Sequence, residues 1–146
     1  MSEVLAGYVA QNFEESLQNA IALGELPAGE QQIDHYQTAD LYGRRCRIKA
    51  GTVGATLVHK YDHIAICLQG TVVLVDQNGA KTTVTAPDVV ITKAGTQRAV
   101  LAVTDVDWVT VHHTEHQDLD TIEDALGCRN MREYQALDRK STRLNS

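Results

Sequence analysis

The chain has 146 residues, of which 43% are hydrophobic, 22% charged and 5% aromatic, enough for one compact core and too few for two ordinary domains. Thirteen Lys and Arg against nineteen Asp and Glu give a formal charge of −6 with no Lys/Arg-rich run, which argues against nucleic acid or an anionic membrane as a partner. No apolar run approaches the ~18 residues of a membrane span. Glu3, Glu14 and Glu15 stand where a secretory leader would be basic and apolar, and Cys46, Cys67 and Cys128 are odd in number without C-x-x-C spacing. The expectation is a cytoplasmic protein with reduced thiols.

Leu5, Val9, Phe13, Leu17 and Ile21 recur every four positions, and Gly24 follows where a helix would stop. The spacing predicts an amphipathic helix over 3–24 whose apolar stripe covers the domain that follows or meets its counterpart in another subunit. Leu26-Pro27-Ala28-Gly29 is the break. Over 42–113 short Val/Ile/Thr-rich runs alternate with the turn pairs Ala50-Gly51, Gln69-Gly70, Asn78-Gly79 and Ala94-Gly95, which predicts eight strands beginning near Tyr42. The clearest hairpin joins Val72–Val75 to Thr82–Thr85 around Asn78-Gly79, since both turn residues tolerate positive φ. That many short strands hide their edges by closing into a sandwich or barrel. Asp120-Thr-Ile-Glu123 has capping-box spacing with Asp120 as the cap, so a short helix is expected over 118–127 with Leu119, Ile122 and Leu126 on one face.

Residues 138–146, Asp-Arg-Lys-Ser-Thr-Arg-Leu-Asn-Ser, resemble the translation of a sequencing adapter and are expected to be a non-native tail, with the native sequence ending near Leu137. Without that tail ten basic and eighteen acidic residues remain, a charge of −8.

His59 and His63 bracket Lys60-Tyr61-Asp62 just before the apolar run Ile64–Leu68 and Gly70. If that tripeptide links two antiparallel strands, both imidazoles converge on the interior, as metal ligands, as ligand contacts or as a structural pair. Alternation along the last strand puts Trp108, Thr110 and His112 on one face, and an indole is easier to hide inside, so His112 is expected to point inward. Arg98 is always charged and cannot ligate a metal, but a fixed guanidinium suits a carboxylate or phosphate; a surface ion pair is its other reading. Arg44, Arg45 and Arg47 form a basic cluster expected to face solvent or a neighbouring subunit.

The spacing of these residues resembles the cupin family. Counted back from Gly70, His63 falls in the Glu position of the first cupin motif, His59 in its second His position, and Leu57 in its first. Lys93-Ala94-Gly95-Thr96-Gln97-Arg98 resembles the second motif, with Gly95 kept and Arg98 in place of the metal-binding His. The resemblance implies a mainly β, jelly-roll barrel (a double-stranded β-helix) bracketed by the two helices. It implies a site made of His59, His63, Tyr61, Arg98 and His112, and a homodimer or larger homo-oligomer. Two of the usual four ligands survive; a divalent Zn, Mn or Fe would need Asp62, His112 or water to complete its shell. More narrowly, the runs Gly43–Thr52, His59–His63, Ala94–Arg98 and Trp108–His112 are similar to small cupins encoded by bacteriophages, whose place of action is the host cytoplasm.

Three readings follow. The preferred one is a phage-type cupin that binds a small anionic molecule, with a nucleotide-derived immune signal of the host, sequestered or degraded, as its sharper form. The second is a metal-dependent enzyme using His59 and His63. The third is a structural phage protein.

Overall fold

The computed structural model describes residues 29–128 and 131–137. The expected helix over 3–24 and the segment 138–146 lie outside the described residues. Eleven strands and a helix follow one another as β1 (Gln31–Gln37), β2 (Leu41–Ile48), β3 (Val53–Ala55), β4 (Val58–His59), β5 (His63–Gln69), β6 (Thr71–Asp76), β7 (Lys81–Thr85), β8 (Asp88–Thr92), β9 (Arg98–Ala102), β10 (Val106–His113), α1 (Leu119–Leu126) and β11 (Gly127–Cys128). Residues 131–137 form a further helical turn. No helix among the described residues is long and apolar enough to cross a membrane.

The strands form two facing antiparallel sheets, β1-β2-β10-β5-β8 and β3-β9-β6-β7, with β11 and β4 as a separate pair. This is the closed sandwich or barrel expected from the turn spacing, in the mainly β jelly-roll form that the cupin resemblance implies, with two differences. An additional strand, β1, pairs with Tyr42–Ile48 of β2, and the segment that follows the Ala50-Gly51 turn is broken into β3 and β4. The Asn78-Gly79 hairpin is present as β6 and β7, in register Val72↔Val84 and Leu74↔Thr82. Gly79 takes φ 84°, and Asp76 Oδ1 accepts hydrogen bonds from the Asn78 and Ala80 amides at 2.9 Å each.

Helix α1 starts two residues earlier than the capping-box spacing suggests. Asp118 is the cap, in extended backbone, and its carboxylate accepts from the Asp120 amide at 2.9 Å, so Asp120 sits in the first turn. Ile122 is 1% exposed, but Leu119, expected on the same buried face, is exposed. Gly127 ends the helix in extended rather than left-handed backbone and pairs at once with His59, while Cys128 pairs with Val58. The helix is thereby tied to the strand that carries the first histidine.

The period-2 rule arranges the interior in cross-strand rows. On the five-stranded sheet one row is Tyr42, His112, His63 and Thr92; the next is Arg44, Thr110, Ala65 and Val90; then come Cys46, Trp108 and Cys67, and finally Ile48 and Val106. On the facing sheet Arg98 is paired with Asp76, Val100 with Leu74, and Ala102 with Val72. The polar ends of the two sheets meet, because Arg98 Nη1 donates to Thr92 Oγ1 across the gap at 2.9 Å. The apolar ends meet too, in a core of Cys67, Val72, Leu74, Val84, Ala102 and Val106, against which Ile48, Val100 and Trp108 pack. Outward positions of β5 and β8 are also apolar; Val89 and Ile91 are each 62% exposed.

Gly70 makes the β5–β6 turn at φ 88°, and a Cβ there would stand 2.0 Å from the Asp105 carbonyl oxygen and 2.6 Å from Thr104 Oγ1. Backbone cannot yield as a side-chain tip can. Gly70→Ala is therefore expected to cost about 2–4 kcal/mol in urea unfolding; a loss below roughly 0.5 kcal/mol would show that the turn relaxes freely.

Candidate functional site

The space between the sheets is a cavity of about 450 Å³. His59, His63, His112, Arg98, Arg44 and Thr92 line its polar end; Val72, Leu74, Val100, Val106 and Trp108 line its apolar end. Ile122, Glu123 and Leu126 of α1 close the side nearest His59.

The three imidazoles pack on one another. Ring centroids lie 4.4 Å apart for His59 and His63, 4.4 Å for His63 and His112, and 6.4 Å for His59 and His112. Local structure explains the clustering. His59 is held through both backbone groups by the 93–97 turn: its N–H donates to the Thr96 carbonyl at 3.1 Å, and its carbonyl accepts from Gly95 N–H at 2.8 Å. His63 opens β5 opposite Thr92, and His112 lies opposite Tyr42 on β2. Tyr42 stacks on His112 at 5.9 Å, and its hydroxyl bonds His35 Nδ1 at 2.7 Å, so the polar row extends to β1.

All three imidazoles are held neutral. Burial, reinforced by the neighbouring imidazoles and by Arg98 and Arg44, pushes His59 down to about 3. Burial followed by His63 and Arg44 pushes His112 down to about 4. Burial and then Arg98 lower His63, against the backbone at Tyr61 and the Asp62 charge. His63 is 6% exposed, and its Nδ1 is buried with no hydrogen-bond partner among the described residues. A buried polar atom without a partner costs about 1–3 kcal/mol, and a ligand group aimed at it recovers that cost.

Arg98 is lowered by burial, opposed by Asp76. Asp76 itself is engaged by the turn amides described above, and neither Arg98 nor Arg44 forms an ion pair with a carboxylate among the described residues. The remaining arginines of the basic cluster are neutralised within the chain, which corrects the expectation of a free basic edge. Arg45 grips Asp107 with two hydrogen bonds, at 2.9 and 2.5 Å, and Arg47 pairs with Asp34 at 2.5 Å. Alternation on β2 sends Arg45 and Arg47 outward and Arg44 inward.

Two of the residues expected at the site stand elsewhere. Tyr61 is 60% exposed, at the tip of the β4–β5 turn, and does not line the cavity. Asp62 accepts from the Ala94 amide at 2.8 Å and pairs with Lys93 at 3.6 Å, fastening the histidine turn to the 93–97 turn from outside. Arg44, Thr92, Tyr42 and Glu123 were not anticipated there. For the first three the signal was available, since Tyr42, Arg44 and Cys46 share one strand parity and Thr92 lies opposite His63.

The described chain has the cupin fold. Among solved structures it is similar to ectoine synthase from P. lautus (13% identity, TM-score 0.56, covering 68% of this chain and 74% of that one). It is also similar to KdgF from Halomonas sp. (20% identity, TM-score 0.51, covering 64% and 84%). A third similar structure is a cupin superfamily protein from Desulfitobacterium hafniense (14% identity, TM-score 0.51, covering 57% and 77%). At these identities the likeness carries the fold and no activity. No family model and no curated protein matches the sequence.

The metal that the fold family implies does not fit these residues. Among the described residues no group of three His, Cys, Asp or Glu side chains is placed to hold a metal ion. His112 Nε2 is already hydrogen-bonded to Thr110 Oγ1 at 2.9 Å. Two guanidiniums also bear on the imidazoles, Arg98 on His59 and His63 and Arg44 on His59 and His112, so an added cation meets like charge on both sides.

Proposed function

We propose that the barrel binds a small anionic molecule, whose charge rests on Arg98 and the His59, His63 and His112 cluster with Arg44 beside it. The observation that carries this reading is a pair of guanidiniums facing one cavity without carboxylate partners among the described residues, together with His63 Nδ1, orphaned among the same residues. Desolvated arginine is costly unless it is paired, and an incoming carboxylate or phosphate supplies the pair with two hydrogen bonds. Neutral imidazoles add N–H donors and can take up a proton as the anion arrives. The narrower form is a phage protein that sequesters or degrades a nucleotide-derived immune signal of its host. Its support is the suitability of the cluster for a phosphate and the resemblance of the chain to phage cupins. A homodimer or larger homo-oligomer is proposed as the assembly, on that resemblance alone.

Calorimetric titration of the full chain with inorganic phosphate and, separately, with Zn²⁺ tests the reading. Phosphate is expected to bind, and Arg98→Met to weaken it by about 30-fold or more, the worth of a charged hydrogen-bond pair. Stoichiometric Zn²⁺ binding lost in His59→Ala/His63→Ala, with no phosphate binding, would instead establish the metal-dependent reading. Binding of neither would leave the structural one.

A further inference from the structure

The cavity is graded rather than uniform. Its arginines and histidines gather towards one end, at the His63–Thr92, Tyr42–His112 and Arg44–Thr110 pairs, and apolar side chains prevail towards the other, where Gln31, opposite Ile48, and Thr52 are the polar members of the lining. Along β10 the distance from His112 to Trp108 is four residues, roughly 13 Å at strand rise. Cavities of about 450 Å³ accommodate an organic molecule, whereas a bare phosphate or carboxylate fills only the polar end.

We propose that the natural ligand is an amphipathic organic anion, with its compact charged head at Arg98 and His63 and a hydrocarbon body lying between Val100 and Trp108. The proposal rests on the anion-binding reading above and, in place of its nucleotide form, gives the ligand a hydrocarbon body. Three observations support it. His63 is more than nine-tenths buried, lines the cavity and leaves Nδ1 without a partner, so the head has a buried polar atom to satisfy. Beyond it, Val72, Leu74, Val100 and Val106 offer neither donor nor acceptor, so a hydrogen-bonding edge turned towards these four would be buried unpaired. Register places Val100 opposite Leu74 on one sheet, and Trp108 between Cys46 and Cys67 on the other, so both walls at that depth are apolar apart from the Trp108 indole N–H. An aryl or branched alkyl group gains from both walls at once.

The chain has one tryptophan, and it lines the apolar end, so its fluorescence reports on the body while calorimetry reports on the head. Three probes separate the alternatives: inorganic phosphate, phenyl phosphate and adenosine monophosphate. Phenyl phosphate is expected to bind at least about 30-fold more tightly than phosphate, from the ~80 Å² or more of added apolar burial, and to shift Trp108 emission where phosphate does not. Val100→Asn should cut the phenyl advantage about fivefold or more and leave phosphate affinity unchanged; Val100→Thr, nearly isosteric, serves if the asparagine variant fails to fold. Equal affinity for phosphate and phenyl phosphate would overturn the proposal while leaving the anion site standing. Tighter binding of adenosine monophosphate than of phenyl phosphate would replace the hydrocarbon body with a base. No binding of any probe would overturn the anion reading itself.

Discussion

Arg98→Met is expected to weaken phosphate binding by about 30-fold or more and to leave a barrel more stable than the parent by about 1–2 kcal/mol, or a rise in Tm of roughly 4 °C or more. The two effects share one cause. Arg98 is lowered by burial more than Asp76 restores it, and its one side-chain hydrogen bond among the described residues is Nη1 to the hydroxyl of Thr92. Among those residues its charge is therefore desolvated in the free protein without an ion pair to offset the cost. Methionine keeps most of the aliphatic stem, removes the charge, and gives up one neutral-acceptor hydrogen bond of about 1 kcal/mol. Stability held in reserve at a binding site is the ordinary signature of a group retained for its ligand. Denaturant midpoints measured beside phosphate titration decide the matter. A variant that loses more than about 1 kcal/mol yet still binds would make Arg98 a structural residue bridging the two sheets.

The parts of this molecule that could be read in the sequence are those set by local chemistry. Asn78-Gly79 demands a tight hairpin whatever surrounds it, and the hairpin is there. Alternation Trp108-Thr110-His112 puts all three on one face, and all three line the cavity. What stayed hidden depends on partners remote in sequence. The polar run Gln31–Gln37 shows little apolar alternation because β1 is an edge strand held by backbone pairing with β2. Two-residue strands such as β4 and β11 arise because α1 docks beside the barrel; Lys60 N–H and Nζ donate to the Leu126 and Asp124 carbonyls of that helix. Tyr61 and Asp62 were expected at the site because they lie between two inward histidines. A tight turn, however, points its central residues away from the strands it joins, and here it gives Asp62 to the 93–97 turn. Arg44 was grouped with Arg45 and Arg47 as one charged cluster, when strand parity separates it from both.

Acid should unfold this protein from a pH well above the carboxylate range, and the histidine cluster supplies the reason. His59 and His112 titrate near 6.5 when exposed and are pushed down to about 3 and about 4 in the fold; His63 is lowered as well. Below pH 6.5 the unfolded chain therefore binds protons that the folded one excludes, so stability falls as pH falls. The contribution is complete above 6.5 and is lost through the window down to about 4 and then about 3. Each imidazole held neutral steepens the decline by at most ~1.4 kcal/mol per pH unit, and three of them by at most ~4. Asp107 and Asp62, both lowered, by Arg45 and by the Ala94 amide respectively, add to the loss only nearer pH 4. Urea midpoints at pH 7, 6 and 5 should accordingly drop, and His59→Gln should flatten the slope by about 1 kcal/mol per pH unit. The charges around the cluster give a second signature. An anion seated at Arg98 stabilises imidazolium, so binding of sulfate, whose charge is fixed over this range, should tighten between pH 7 and 5 and saturating sulfate should blunt the acid loss. A slope unchanged by both His59→Gln and sulfate would show that the cluster is open to water, and a cluster open to water could not hold an anion by desolvated charge.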